Sequence, residues 1–355
     1  MKKVVVGMSG GVDSAVCAYL LKKEGYDVIG VTLRTWESTD GNESRCCEID
    51  DARNIAYKLD IPFQTYNCIK EFDEVVAKPF VKDYVNGMTP NPCIECNKCV
   101  KWTKMLYAAD VLEADFVATG HYATIVKLDN GRYTVKKADF AAKDQTYMLY
   151  RLTQEQLSRT LMPLGKYSKE EVRNIAREAG IHVADKPDSQ EICFITSGTY
   201  ADYIEENFDG ELKGEGNFVD ENGNVLGRHK GIIHYTVGQR KGLGIAFGVP
   251  MFVKEIRPES NEVVLCEDEA LYTDRVYCNT LNFLSIEGIK EGERIPARVK
   301  IRYRHEGESA FISMYDKDTV LIEFEKKVRA ATAGQSAVFY DANDCVIGGG
   351  KIVLL

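Results

Sequence analysis

The sequence has no apolar run of about 18 residues or more, so no membrane-spanning helix is expected. It shows no basic leader followed by an apolar stretch, and the reading expects a cytoplasmic protein. Its 9 prolines are dispersed, and neither a low-complexity tract nor an internal repeat is visible. Histidine is scarce, at 5, and no His-x-x-x-His pair supplies half of a zinc site. A net charge of −9 speaks against wholesale coating of nucleic acid, though it leaves room for a local basic face. Cysteine is the one abundant rarity, at 11. Without an export signal these cysteines point to metal or thiol chemistry rather than to a disulfide framework. Length alone, 355 residues, predicts two or three domains.

The stretch Gly7-Met8-Ser9-Gly10-Gly11-Val12-Asp13-Ser14 lies between the apolar run Val4 to Val6 and a helical run from Ala15 to Leu21. That order reads strand, tight turn, helix. Adjacent glycines let the backbone approach a ligand, and N–H groups at the helix start favour an anion there. Ser9 and Ser14 add hydroxyl donors, whereas Asp13 is out of place beside a phosphate unless something needs it. The string has neither the Gly-Lys-Ser/Thr ending of a P-loop nor the G-x-G-x-x-G of a dinucleotide loop. It looks like the PP-loop of ATP pyrophosphatases, which transfer AMP to an oxygen.

A second apolar run, Asp27 to Leu33, completes a βαβ unit and predicts a parallel sheet. Helices are expected over Asp50 to Lys58, Glu71 to Tyr84 and Lys169 to Ala179, the last opened by a Ser168/Glu171 capping box. Strands are expected at Pro62 to Tyr66 and at Asp115 to Gly120. The stretches Gly7 to Ser14, Leu33 to Trp36 and Thr119 to Tyr122 then all fall at the carboxyl ends of strands, where such folds bind ligands. After about residue 205 glycines punctuate short runs, which reads as a small β-rich domain. From Val276 onward alternating runs suggest an antiparallel barrel. The expected fold class is therefore α/β in the first domain, residues 1–204, followed by a central domain, 205–275, and a C-terminal β-barrel, 276–355.

Cys93, Cys96 and Cys99 follow C-x-x-C-x-x-C spacing after Asn91-Pro92, and Cys193 lies far downstream in Ile192-Cys193-Phe194. Two thiolates on a turn can share a metal or cluster, or exchange a disulfide. Zinc, an iron–sulfur cluster and thiol exchange all remain open on spacing alone. Most other cysteines read as packing residues, and Cys46-Cys47 has no assignment.

Several motifs now recur together: the PP-loop, Gly120-His121-Tyr122, Asp144-Gln145, Asn91-Pro92, Ile192-Cys193-Phe194, the long Gly231-Ile232-Ile233-His234-Tyr235-Thr236-Val237-Gly238-Gln239-Arg240-Lys241-Gly242-Leu243-Gly244, and Arg302-Tyr303-Arg304. In this order, and over nearly the full length, the chain resembles the tRNA-specific 2-thiouridylases of the MnmA type. That resemblance implies a PP-loop domain (adenine nucleotide alpha hydrolase-like), a small central domain and a C-terminal barrel. It implies a tRNA-uridine 2-sulfurtransferase that uses ATP and Mg²⁺. O2 of the wobble uridine in tRNAs for Lys, Glu and Gln would be adenylated, then replaced by sulfur, releasing AMP and pyrophosphate. By the same resemblance Gly7, Met8, Ser9, Gly10, Gly11, Val12, Asp13, Ser14, Leu33 and Gly120 bind ATP. Asn91, Pro92 and Cys93 face the target base, while His121, Lys143, Asp144, Gln145, Arg302, Tyr303 and Gln335 contact tRNA.

Cys96 and Cys193 are the implied sulfur-handling pair, with a persulfide on Cys193 attacked by Cys96. The family often has Asp where this chain has Cys93, and a cysteine is a poor substitute for a carboxylate. The leading expectation from that departure is a 4Fe–4S cluster on Cys93, Cys96 and Cys193, with the persulfide route and zinc as alternatives. The sulfur donor would be a cysteine desulfurase, a sulfur relay protein or free sulfide. Arg228, His229, Lys230, Arg240, Lys241, Lys300, Arg302 and Arg304, with Tyr235, Phe247 and Tyr303, suggest a local RNA face. Two rival classes are a PP-loop ligase acting on a small acid and an RNA-binding metalloprotein that holds ATP structurally.

Overall fold

A computed structural model describes residues 1–37, 49–184, 192–245 and 248–354. Strand β1 (Lys3–Gly7) carries Val4, Val5 and Val6, all fully buried, so both its faces are covered. A strand apolar on both faces belongs in the middle of a parallel sheet with helices on each side. It leads through α1 (Val12–Lys23) to β2 (Asp27–Arg34), then α2 (Ile49–Lys58) and β3 (Phe63–Asn67). A short α3 (Ile69–Phe72) and α4 (Lys78–Val85) follow, then α5 (Pro92–Glu95) and α6 (Thr103–Val111). Next come β4 (Phe116–Ala118), the hairpin β5 (Ala123–Lys127) and β6 (Tyr133–Lys137), α7 (Gln154–Ser158), β7 (Thr160–Leu161) and α8 (Lys169–Glu178). The five-stranded sheet has the order β3-β2-β1-β4-β7, all parallel. The chain therefore moves outward in one direction from β1 to β3, then returns to place β4 on β1's other edge. The loops after β1 and β4 open into one crevice at this switch point.

One helical expectation is modified. The run from Glu71 to Tyr84 is not one α-helix, because a π-helical turn, Asp73–Ala77, separates α3 from α4. Pro79 lacks the N–H that would continue the ladder, and its ring crowds the carbonyl four residues back. Cys93, Cys96 and Cys99 lie on a continuous helical segment. It comprises α5, a π-helical stretch Cys96–Trp102 and α6. Asn91 caps it, its Oδ1 accepting from the Cys93 N–H at 3.2 Å, and Pro92 occupies the first turn, where no N–H is needed.

After α9 (Tyr200–Asn207) the central sheet pairs β8 (Gly216–Val219), β9 (Val225–His229), β10 (Phe252–Arg257) and β11 (Glu262–Cys266) in the order β10-β11-β8-β9. The last six strands close an antiparallel barrel: β12 (Tyr272–Phe283), β13 (Ile295–Lys300), β14 (Glu308–Met314), β15 (Val320–Arg329), β16 (Ser336–Tyr340) and β17 (Val346–Val353). Alternate residues of β15, Val320, Ile322 and Phe324, are buried in its core. The barrel is fastened to the first domain. The Tyr147 hydroxyl donates to the Ser336 carbonyl at 2.8 Å, and Tyr150 meets the Ser336 hydroxyl at 3.1 Å. Lys351 pairs with Asp83 at 2.7 Å. One apolar core runs through all three parts, joining Val5, Phe218 and Val338.

Candidate active site

The loop after β1 is folded around its two serines. The Ser9 N–H donates to Ser14 Oγ at 3.2 Å, Ser14 Oγ donates to the Gly11 carbonyl at 3.0 Å, and the Gly11 N–H approaches Ser9 Oγ at 3.4 Å. Gly10 has φ of 79°, a left-handed conformation that glycine adopts without steric cost. Gly11 is the N-cap of α1 and has no side chain to accept from the first-turn N–H groups. Those donors and the helix dipole make an anion-binding mouth. The loop is tied to the sheet by Met8, whose N–H donates to Val31 at 2.8 Å and whose carbonyl accepts from Thr32 Oγ1 at 2.7 Å. Leu33, next to the end of the same strand, is buried.

Gly120, in the turn after β4, lies against this loop. A Cβ there would be 2.7 Å from both the Asp13 carbonyl carbon and the Ser14 nitrogen. The two crevice loops therefore touch backbone to backbone, and only glycine permits it.

The oddity of Asp13 is resolved by two distant residues. Lys169 Nζ lies 2.8 and 2.9 Å from its two carboxylate oxygens, and the Tyr122 hydroxyl donates to Oδ1 at 2.7 Å. Tyr122 is itself clamped: its N–H donates to Gln145 Oε1 at 2.9 Å, and the Gln145 N–H returns to its carbonyl at 3.0 Å. Sequence reasoning missed Lys169. The available signal was its position immediately after the Ser168 cap, where a helix dipole disfavours a cation.

His121 packs on Trp102, ring centroids 5.5 Å apart, with Nδ1 2.8 Å from Thr119 Oγ1. Burial, helped by Lys101, pushes its pKa down to about 3. The unfolded chain, with histidine near 6.5, takes up that proton first, so stability is full above pH ~6.5 and declines as pH falls toward 3. Urea unfolding between pH 7 and 4 should show this decline, and His121→Gln should flatten it.

The cysteines differ in environment. Cys96 is 6% exposed and belongs to the main core, whereas Cys93 is half-buried; burial above all, then Asp144 and Cys93, push the Tyr303 phenol up. The Cys99 thiol approaches Glu95 Oε2 at 4.0 Å, and Glu95 pairs with Arg151. Burial and then Glu95 push the Cys99 thiol up, which disfavours thiolate there. Cys193 packs against the same core as Cys96. Its neighbour Phe194 fixes that segment, meeting Tyr203 at 5.1 Å, Phe80 at 5.3 Å and Phe72 at 5.5 Å between ring centroids. Phe194→Ala should cost roughly 3–5 kcal/mol of stability, read as a lowered urea midpoint, and should loosen the Cys193 segment.

Among the described residues no three His, Cys, Asp or Glu side chains form a metal-holding group, and no disulfide joins any cysteine pair. Cys96 is packed into the apolar core, Cys193 lies partly buried against it, and Cys93 is half-buried one turn before Cys96. Cys17, Cys266, Cys278 and Cys345 are buried thiols pushed up by burial, as packing residues should be. Cys46 and Cys47 lie outside the described residues.

Three family profiles cover the chain in sequence: a tRNA methyl transferase HUP domain over residues 2–197, a tRNA methyl transferase PRC-barrel domain over 202–267, and an aminomethyltransferase beta-barrel domain over 273–352. The tRNA-specific 2-thiouridylase MnmA of Lachnoclostridium phytofermentans is 55% identical over 99% of this chain and 100% of its own length. The chain belongs to the tRNA-specific 2-thiouridylase family. It is thus an enzyme of a tRNA-modifying family. The MnmA protein of Clostridioides difficile is 50% identical over 99% of this chain and 98% of its own. Among solved structures, the U34-tRNA thiolase NcsA from Methanococcus maripaludis with its 4Fe–4S cluster aligns with a TM-score of 0.36 and 18% identity. That alignment covers 58% of this chain and 62% of NcsA, and it carries no argument about cofactors here.

In this 2-thiouridylase-family chain the residues expected at tRNA are spread over two kinds of position. Lys143 and Tyr303 are half-buried, with Lys300 Nζ 5.9 Å from the Tyr303 ring and the Tyr147 ring 6.2 Å from it. Asp144 is buried, and its carboxylate accepts from Thr146 Oγ1 at 2.8 Å, which makes it a brace of the 138–146 loop. Arg302 Nη1 donates to the Arg329 carbonyl at 2.9 Å, and Gln335 Nε2 donates to the Thr89 carbonyl at 2.9 Å. Gln335 thus connects the barrel to the loop that delivers Asn91, Pro92 and Cys93. Two members of the expected RNA face are corrected. His229 is buried in β9, its Nε2 3.1 Å from the Asn261 carbonyl, and Tyr235 is buried against Phe218. Phe247 lies outside the described residues. No helix among the described residues is long and apolar enough to cross a membrane.

Proposed function

We propose that this enzyme activates O2 of a tRNA wobble uridine with MgATP and then replaces that oxygen with sulfur. Magnesium enters with the nucleotide as part of the substrate. The uridine, flipped out of its stack, attacks the α-phosphorus with O2. The bond from α-phosphorus to the bridging oxygen breaks, and pyrophosphate leaves with the electron pair. The N3 proton of uridine passes to solvent. The Ser9–Ser14 hydroxyl ring and the first turn of α1 hold the phosphates.

Cys93, Cys96 and Cys193 would hold a 4Fe–4S cluster able to supply sulfide to the activated carbon; the alternative is a sulfur step written with thiols alone. The terminal sulfur of a Cys193 persulfide attacks C2, the C2–O bond breaks, and AMP leaves with the oxygen. The Cys96 thiolate then attacks the Cys193 sulfur. The S–S bond breaks toward the base, leaving 2-thiouridine and a Cys96–Cys193 disulfide. An external dithiol reduces that disulfide, and a sulfur donor reloads Cys193. The observation that supports this reading is the two-serine anion mouth after β1, met backbone to backbone by Gly120, in a chain of the 2-thiouridylase family. The proposed substrates are the tRNAs for Lys, Glu and Gln, read at single-stranded anticodon bases.

The test is exchange of labelled pyrophosphate into ATP. Exchange that requires uridine-bearing tRNA supports the reading. Exchange that ignores tRNA makes the protein a small-acid ligase, and no exchange under any condition makes it a binding protein.

A further inference from the structure

Lys169 is built into the nucleotide loop from far along the chain. It is the first residue of α8, fixed by the reciprocal Ser168/Glu171 capping box. Val172 and Ala176 of α8 pack in the same core as Val12, Ala15 and Val16 of α1, so the two helices hold a set relation. Its side chain is only 14% exposed, yet its ammonium bonds both oxygens of Asp13. A cation at a helix N-terminus opposes the helix dipole, so its place there needs an anion. Asp13 alone does not explain it. A carboxylate in the first turn of α1, at an anion-binding mouth, would itself repel a triphosphate unless the pair serves one.

We propose that Lys169 is the cation of the pyrophosphate subsite. It holds Asp13 across the loop before MgATP binds. It then faces the β- and γ-phosphates and takes up the negative charge that develops on the bridging oxygen as its bond to α-phosphorus breaks. No proton moves in this role: the ammonium stays charged, and the electron pair leaves on pyrophosphate. The inference rests on the loop being the ATP site.

The experiment is calorimetric titration of the full-length protein with magnesium pyrophosphate and with MgATP, for wild type, Lys169→Met, Lys169→Gln and the double variant Asp13→Asn/Lys169→Met. Pyrophosphate affinity should fall at least tenfold in Lys169→Met and Lys169→Gln. The maximal exchange rate should fall by roughly a hundredfold, with KM for tRNA unchanged. The double variant should stay weak. Lys169→Gln keeps a polar head, so it serves if Lys169→Met does not fold. Wild-type affinity in the single variants, or recovery in the double variant, would overturn the inference, because Lys169 would then only neutralise Asp13. A wild type that binds neither ligand would instead remove the ATP reading of the loop.

Discussion

Replacing Cys96 or Cys193 with serine should abolish thiolation, by roughly a thousandfold or more, as expected for a group that itself reacts. TRNA-dependent pyrophosphate exchange should persist, because a serine hydroxyl cannot carry or accept the transferred sulfur but leaves adenylation untouched. Cys99→Ser should stay near wild type, since that thiol is pushed up and paired with Glu95. Cys93→Ser is the sharper control. With thiols alone it should retain activity within about tenfold, because no covalent step passes through it. A loss as deep as that of Cys96→Ser, together with iron and sulfide in anaerobically purified protein, would show that the three cysteines do come together as cluster ligands. The readout is 2-thiouridine in digested tRNA beside the exchange rate.

Gly120→Ala should cost about 1–3 kcal/mol of stability through overpacking and sharply weaken MgATP binding. The added Cβ would fall 2.7 Å from backbone atoms of Asp13 and Ser14, which cannot swing aside as a side chain can. Either the β4 turn or the first turn of α1 must move, and both line the crevice. Gly214→Ala is the matched control, since a Cβ there meets nothing within 4 Å. Thermal melting and a nucleotide titration on both variants check this. Wild-type MgATP affinity in Gly120→Ala would mean that the contact between the loops does not set the phosphate site.

Local chemistry made much of this architecture readable. The buried valines of β1, the Gly-Gly turn and the Ser168/Glu171 box are each encoded within a few residues, and each appears as expected. Alternation along β15 likewise carries its own barrel face. What was hidden depends on long sequence separations. Lys169 reaches Asp13 across 156 positions, and Gln335 reaches Thr89 across 246. Neither pairing has a local signature. Composition misled where burial decides: His229 and Tyr235 read as parts of a basic, aromatic RNA face until their packing against Phe218 is seen. Pro79 shows the opposite case, a local cue that was present and under-weighted, since it breaks the expected helix into α3, a π turn and α4. The C-x-x-C spacing alone does not say whether the cysteines sit on a turn or a helix. Asn91-Pro92 ahead of it is a helix start, and that signal prevails.

Adenylation of O2 makes a specific claim about where an oxygen atom goes. A tRNA substrate carrying ¹⁸O at C2 of the wobble uridine, thiolated by the full-length enzyme with unlabelled ATP, tests it in one mass spectrum. The account predicts one ¹⁸O in AMP for each 2-thiouridine formed, and none in pyrophosphate. Thiolation that releases the ¹⁸O to water or into pyrophosphate, with AMP unlabelled, would contradict it.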